Sequence, residues 1–371
     1  MKNKQGQIAF SKKTRNIMAL LMVFTAFVLS LGFRTADNQF IPAEAYRNLI
    51  EFFKITFLDI FDSTFAKEKY IETLPYYNET ILRFKYSLMA LLAGAVICFA
   101  GAIFQTAFKN PIASPNILGA STGVSIGNML FVITFGAEAM NHFLVRYVYC
   151  YGFALLIVAI TLSFGKFSQG LGRAGQFSIE GTIIAGMMIS HMAGIFTQYF
   201  NLILQGDETG LMEIYTELTS GDYIVLDDTS FYVFLGLMAV SVIPMYLIRY
   251  RFNMVAFPDD DAKAVGVSNT MLRIVGLGLG SLMASIAMVH VGDVGMLSMM
   301  VPFMMRQKLQ AEFGEVAFLS CCVGSTITLV ARSALEVLAS YGLMLPSSVV
   351  LTAVLMPVFI IFLIRREDAF G

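Results

Sequence analysis

The sequence predicts an all-α polytopic membrane protein of about ten transmembrane helices with both termini cytoplasmic. Three observations predict it. Of 371 residues, 57% are hydrophobic and 14% charged, against about 25% charged in ordinary soluble domains. Apolar segments of near-spanning length recur along the whole chain, and basic residues gather on alternate connections between them. The net charge of −1 gives no reason to expect nucleic acid as a partner. The partner this composition requires is a lipid bilayer.

Crossing the hydrocarbon core takes about 20 apolar residues at about 1.5 Å per residue. The first segment, 17–33, follows a cytoplasmic tail, residues 1–16, that carries Lys2, Lys4, Lys12, Lys13 and Arg15. A basic stretch before an apolar one also marks cleaved signal peptides. This run is long for that, and Ser30-Leu-Gly-Phe33 is a poor small-residue cleavage site, so the segment is read as a retained helix. A long external loop, 34–85, leads to apolar segments 86–106, 115–136, 144–164 and 178–200. The external loop 201–228 is purely acidic, with Asp207, Glu208, Glu213, Glu217, Asp222, Asp227 and Asp228. Segment 229–248 then leads through a cytoplasmic stretch, 250–270, to segments 271–291, 295–305, 316–338 and 347–364. Segment 295–305 is too short to cross straight. It follows Gly292-Asp-Val-Gly295 and contains Pro302, which suits a re-entrant or broken helix satisfied by protein or water. The whole chain, 1–371, is thus one transmembrane domain.

Ten crossings put both termini on one side. With the N-terminus inside, the inner segments hold sixteen basic residues, among them Lys109, Arg249, Arg251, Lys263, Arg273, Arg306 and Lys308, while the short outer loops hold almost only Arg146. The long loop 34–85 mixes seven basic with eight acidic residues, but long loops count little in the positive-inside rule.

Between crossings two and three the chain pauses at Lys109-Asn110-Pro111, read as an inner-surface turn. Proline there ends a helix without leaving a buried donor unsatisfied. Gly119, Gly123 and Gly127 follow at four-residue spacing, a pattern that lets helix backbones approach closely in lipid. Gly276, Gly278 and Gly280 lie inside an apolar segment with no preceding strand, so they are not read as a phosphate loop.

Catalytic or metal-binding sets are thin. The four cysteines sit in or beside apolar segments with no CxxC, and His142, His191 and His290 lie far apart. Small buried thiols explain the former. No HExxH or phosphate-loop lysine is present, so no metal site and no enzyme activity are expected on this chain. Arg332 and Glu336 alone lie well inside a span. Four residues apart on one helix face, they can pair with each other; a contact with ligand or partner is the alternative. Phe257-Pro-Asp-Asp-Asp-Ala-Lys-Ala-Val-Gly266 reads as a short helix, with proline and acids at its start and glycine at its end. Such a helix either caps the bundle or docks a cytosolic protein.

The sequence resembles the permease subunits of ABC importers for iron-siderophores, haem and vitamin B12. That family shows R-L-P-R before crossing two, then G-A-x-x-Q-x-x-x-x-N-P-L-A-x-P-x-x-L-G. Here Arg83-Phe-Lys-Tyr86 is followed by Gly101-Ala-Ile-Phe-Gln105 and Asn110-Pro-Ile-Ala-Ser-Pro115-Asn-Ile-Leu-Gly119. The family's inner-loop G-x-x-x-A-x-x-L-G-V resembles Pro258-Asp-Asp-Asp-Ala262-Lys-Ala-Val-Gly266-Val267. Its G-x-x-G-F-V-G-L-V-V-P-H-x-x-R resembles the stretch from Gly292 through Gly295 and Pro302 to Arg306, and its closing L-P…P-x-F resembles Leu345-Pro346…Pro357-Val-Phe359.

The resemblance implies a type II importer permease in the cytoplasmic membrane of a bacterium. It would work with a second permease copy or a related permease, two cytosolic ATPase subunits and an external substrate-binding protein. ATP and Mg would sit on the partner ATPase, with no cofactor on this chain. The helix at 258–266, with Asp259, Asp260, Asp261, Ala262 and Gly266, would couple to the ATPase, while Arg83 and Lys85 would dock the binding protein. Asn110, Pro111, Gly119, Gly123 and Pro302 would serve turns and packing. The substrate class implied is an iron-siderophore complex, with haem or cobalamin as alternatives and an ATPase-independent carrier or channel as the reading of another class. The sequence departs from the family at Tyr86, Phe303 and Leu355. It also inverts the family's later D-x-x-x-R, with Arg332 where the aspartate belongs and Glu336 where the arginine belongs.

Overall fold

The computed structural model describes residues 11–31, 50, 77–167, 179–205, 210–220, 228–264, 266–292, 295–309, 312–343 and 345–367. Among the described residues there is no strand. Each of the ten apolar segments falls on one helix: α1 (Lys12–Leu31), α2 (Tyr77–Ala107), α3 (Ala120–Phe135), α4 (Phe143–Phe167), α5 (Ile179–Gln205), α7 (Asp228–Phe252), α9 (Asn269–Val291), α10 (Gly295–Leu309), α11 (Phe313–Ser340) and α12 (Ser347–Glu367). Two short helices, α6 (Leu211–Ser220) and α8 (Asp259–Ala264), lie between them. Seven helices are long and apolar enough to cross a membrane by length and composition, and α3 and α12 contain shorter apolar stretches.

Hydropathy finds these helices but not their places, because lipid tails are as apolar as leucine and packing decides which helix is central. In α2, 72% of the most apolar window is buried, against 17% in α1 and in α5. α2 is therefore the hub, touching α11, α9, α10 and α1, whereas α1 and α5 present long apolar faces outward. Small residues let the hub close up. Gly94 of α2 and Gly324 of α11 lie backbone to backbone, with no room for a Cβ on either. Beside them Thr328 donates to the Ala90 carbonyl at 2.7 Å and Ser325 to the Leu91 carbonyl at 2.8 Å.

Four sequence expectations are corrected. α2 begins at Tyr77, so residues 77–85 of the expected loop are helix; residues 34–49 and 51–76 lie outside the described residues. The acidic segment 201–228 contains α6, whose Tyr215 and Leu218 are buried in a small cluster with Phe131 and Phe200. Gly123 and Gly127 pack against the α4 backbone at Ala154 and Cys150, and Gly119 lies against the Ile157 side chain of the same helix, but Gly119 is not itself part of α3. It sits before α3 with φ 82°, joining the 3-10 turn Pro115–Leu118 to the helix, a left-handed conformation that glycine adopts without a steric cost. Finally, α10 is neither re-entrant nor broken: it runs unbroken through Pro302. Its 15 residues span about 22 Å, short of the roughly 30 Å hydrocarbon core.

Contacts between distant segments sort the helix ends into two groups. At one end, Lys12 pairs with Glu315 at 3.4 Å and Arg15 pairs with it too. There also Asn253 accepts from the Phe313 amide at 3.1 Å, and Thr161 donates to the Leu118 carbonyl at 3.3 Å. At the other end, Ser30 bonds Ser87 at 3.0 Å, Arg146 reaches Leu218 and Val289, and Ser347 donates to the Val291 carbonyl. Successive long helices thus alternate in direction, and the first group is the end that gathers the basic residues.

Candidate functional site

The basic end is built from three joined pieces. α2 runs out at Ala107, and Lys109 turns the chain with φ 50°. Asn110 closes the turn: its amide donates to the Gln105 carbonyl at 3.2 Å, and its Oδ1 accepts from the Ile112 amide at 3.1 Å. Pro111 stands exposed beyond it. The turn then reaches the second piece. Lys109 Nζ donates to the Phe257 carbonyl at 3.0 Å, and Asn269 Nδ2 donates to the same oxygen at 3.3 Å. One carbonyl therefore ties the end of α2 and the start of α9 to the chain just before α8.

α8 is held by backbone geometry rather than by length. The Ala262 amide donates to the Pro258 carbonyl at 3.2 Å, Gly266 adopts φ 74°, and the Val267 amide returns to the Ala262 carbonyl at 2.9 Å. That is a helix closed by a left-handed glycine with a six-to-one hydrogen bond. Ala262 is fully buried, whereas Asp261 and Gly266 are exposed. Of the expected coupling residues, Ala262 therefore seats the helix on its own bundle and Asp261 faces outward. Of Asp259 and Asp260 only the backbone position, at the helix start, is described.

The third piece is the junction of α2 with α10. Pro302 has no N–H to return to the Ser298 carbonyl, and α2 meets the backbone at this point. Cys98 Sγ lies 3.7 Å from the Leu297 carbonyl, Gly101 faces the Ser298 carbonyl so closely that a Cβ would collide with it, and Gln105 Nε2 donates to the Met299 carbonyl at 2.9 Å. Backbone groups loosened by proline inside a membrane helix are met by a neighbouring helix in this way. One turn further on, Arg306 donates through Nε to Gln105 Oε1 at 3.1 Å and through one terminal nitrogen to the Ala102 carbonyl at 3.0 Å and to Thr106. The proline, glycine, glutamine and arginine singled out in the sequence are thus one clamp.

The opposite end holds the remaining expected residues. Arg83 is buried, and Lys85 is half-buried with Nζ 6.0 Å from the Phe231 ring centroid. Neither extends freely from the surface. Arg332 pairs with Glu336, donates to Ser87 at 2.7 Å and lies 5.8 Å from the Tyr86 ring centroid. The self-paired alternative for these two charges is the one the structure adopts.

A further buried cation escapes the sequence reading. Arg146, expected in an outer loop, lies in the first turn of α4 and is buried. Its Nε donates to Asn128 Oδ1 at 2.9 Å, and one terminal nitrogen donates to the carbonyls of Leu218 at 2.6 Å and Val289 at 3.3 Å. Those carbonyls belong to the last turns of α6 and α9, where unsatisfied carbonyls and the helix dipole both favour a cation. Among the described residues no three His, Cys, Asp or Glu side chains gather as a metal site. His290 lies between Tyr147 and Phe234 with Nδ1 2.9 Å from the Ile286 carbonyl.

Comparison with known proteins gives a consistent result. The FecCD transport family matches residues 46–365. The chain is 27% identical to the Fe(3+) dicitrate transport system permease protein FecC of Escherichia coli, over 80% of this chain and 85% of that one. It is 26% identical to the molybdate import system permease protein MolB of Haemophilus influenzae, over 85% and 86%. Among solved structures, an inward-facing one assigned to the metal-chelate type of ABC transporter superposes with a TM-score of 0.73, covering 95% of this chain and 99% of that chain at 18% identity. At that identity the likeness speaks for the fold.

Proposed function

The chain belongs to the FecCD transport family, and on that premise we propose that it is the membrane-spanning permease subunit of an ATP-driven importer whose substrate is an iron-siderophore complex. The observation that carries the reading is the match of one transport family to nearly the whole helical bundle, which also bears a short helix seated on its basic end. The basic end is cytoplasmic by the positive-inside rule, which puts both termini there. α8 meets one of two ATPase subunits chiefly through Asp261 and its neighbours Asp259 and Asp260. ATP and Mg belong to those subunits, so hydrolysis is theirs and not this chain's. Closure of the ATPase pair favours one arrangement of the helices over the other, and the switch follows from that difference in binding.

The opposite end receives an external substrate-binding protein. Of the two expected docking residues, Lys85 is the better placed, since Arg83 is the more deeply buried. A second permease copy, or a related permease, completes the pathway. Iron-siderophore is the reading favoured by the FecC relative, with haem and cobalamin as the alternatives within the same class. The MolB relative favours a second reading, an oxyanion such as molybdate.

Gentle purification from native membranes, with mass spectrometry of what accompanies the chain, tests the assembly. An ATPase subunit and an extracytoplasmic binding protein should co-purify, and that binding protein can be screened with ferric chelates, haem, cobalamin and molybdate. A chain that emerges alone, even after crosslinking, would return the reading to an ATPase-independent carrier.

A further inference from the structure

A cleft of about 370 Å³ opens at the basic end between the start of α1, the end of α7 and the start of α11. Its inner wall is apolar, formed by Phe99, Val242, Phe313 and Phe318, and its rim carries Lys12, Asn16, Arg249 and Asn253. The helices on either side carry large exposed apolar residues, Leu20 and Leu21 on α1 and Leu247 and Tyr250 on α7, so the cleft opens towards the bilayer. Tyr246 and Tyr250 flank Arg249, with its guanidinium 3.7 and 4.3 Å from their ring centroids. Exposed tyrosines of this kind mark the level of the lipid headgroups.

The rim charges favour an anion. Glu315 is neutralised by Lys12 and Arg15, and Glu312 is the other carboxylate at the cleft. Lys12 and Arg249 line the cleft with Glu312 and Glu315; Arg15, outside the lining, pairs with Glu315 as well, so the local sum is three cations to two carboxylates. Arg249 donates to the Tyr246 carbonyl at 2.8 Å and to the Tyr250 hydroxyl at 3.1 Å, which leaves three of a guanidinium's five N–H groups for a further acceptor. Asn16 Oδ1 is buried with no hydrogen-bond partner and suits a donor hydroxyl. A charged head over an apolar wall is the chemistry of a phospholipid, and basic pockets between membrane helices take anionic headgroups.

We propose that this cleft binds an anionic phospholipid with a hydroxylated headgroup, of the phosphatidylglycerol class. Arg249 holds its phosphate, Asn16 accepts from a headgroup hydroxyl, and an acyl chain lies over Val242 and Phe318. The chain's own tail is a poor occupant, because residues 1–10 carry Lys2 and Lys4 and no acid. Since Asn253 also binds the Phe313 amide, the lipid would brace the joint of α7 and α11 beside the coupling segment.

The test is native mass spectrometry of the purified, delipidated full chain titrated with dioleoyl phosphatidylglycerol or dioleoyl phosphatidylcholine. The first lipid bound should be phosphatidylglycerol, preferred by about fivefold, a preference that Arg249→Gln abolishes. Gly314→Leu provides a second route: Gly314 lines the cleft and has open space where a Cβ would stand, so the variant fills the site without disturbing the fold. It should lower occupancy by both lipids. Arg251→Gln, which does not line the cleft, should behave as wild type. Equal binding of the two lipids by the wild type, or unchanged phosphatidylglycerol binding in Gly314→Leu, would overturn the proposal. Binding that appears only after residues 1–10 are removed would assign the cleft to the tail and overturn it equally.

Discussion

Arg306 of α10 donates through Nε to Oε1 of Gln105 on α2 at 3.1 Å, across 201 residues of chain. Gln105 in turn donates to the Met299 carbonyl at 2.9 Å, three residues before Pro302. The two ends of the glutamine amide therefore act differently, the oxygen holding the arginine and the nitrogen meeting backbone beside the proline. The clamp lies one turn from Lys109, whose Nζ donates to the Phe257 carbonyl just before α8, so a hydrogen bond ties the end of the hub helix to the chain that leads into that short helix.

Gln105→Ala removes both bonds. Hydrogen bonds to charged groups contribute about 1.5–3 kcal/mol, and the variant should lose at least that much stability. Thermal unfolding in detergent measures it. Gln105→Glu keeps the acceptor for Arg306 and loses only the donor to Met299, so it should fall between the two. An alanine variant as stable as wild type would dismiss the clamp.

Gly101→Ala sets a methyl group against the Ser298 carbonyl, whereas Gly278→Ala points into open space. Overpacking costs about 1–3 kcal/mol, so the first should fold in reduced yield and the second should be neutral. Yield and monodispersity by size exclusion decide it. Equal behaviour of the two variants would mean that α2 and α10 are not in contact as described.

Arg146→Leu leaves the carbonyls of Leu218 and Val289 without this donor and Asn128 Oδ1 with only the Cys150 thiol. A buried polar group left unsatisfied costs about 1–3 kcal/mol. α6 is short and packs chiefly through Tyr215 and Leu218, so its amides should exchange hydrogen faster in the variant while those of α2 stay protected. Unchanged exchange in α6 would show that Arg146 does not cap it.

Glu336→Gln takes the carboxylate from buried Arg332, which keeps its bond to Ser87; breaking a fully buried pair costs about 3–5 kcal/mol, and with Glu336 21% exposed the loss should fall below that range. The double variant Arg332→Leu/Glu336→Leu should recover most of that loss, because a well-packed apolar pair replaces a buried ionic one at little cost. Thermal unfolding of the single and double variants measures the difference. A double variant less stable than Glu336→Gln would show that Arg332 holds the helices through Ser87 rather than through Glu336.

Much of the fold is legible in the sequence, since ten apolar segments become ten helices within a few residues at most ends. Length and hydropathy suffice for that because the bilayer demands both. α6 escapes such a reading because it is short and acidic, and only its buried Tyr215 and Leu218 reveal it. Arg146 is misplaced because a charge at a predicted helix end reads as loop, and nothing local announces that two distant helix ends will meet it. Pro302 suggests a broken helix because the sequence does not show the partner that meets its backbone. That partner, Gln105, is visible as a motif residue, but motifs name residues without pairing them. The short helix α8 is legible in outline through its aspartates and Gly266, while the inward side of Ala262 needs the packing.

The importer reading is tested most directly at Asp261, which it places against an ATPase subunit at the cytoplasmic surface. Asp261→Cys is a clean probe, because Cys98, Cys150 and Cys322 are buried and Cys321 is half-buried. In membranes, a bifunctional thiol reagent should crosslink this position to an ATPase subunit. In intact cells, a membrane-impermeant thiol reagent added outside should leave it unmodified. Modification from outside would reverse the sidedness, and a position that reacts from the cytoplasm yet never crosslinks to an ATPase would contradict the importer reading itself.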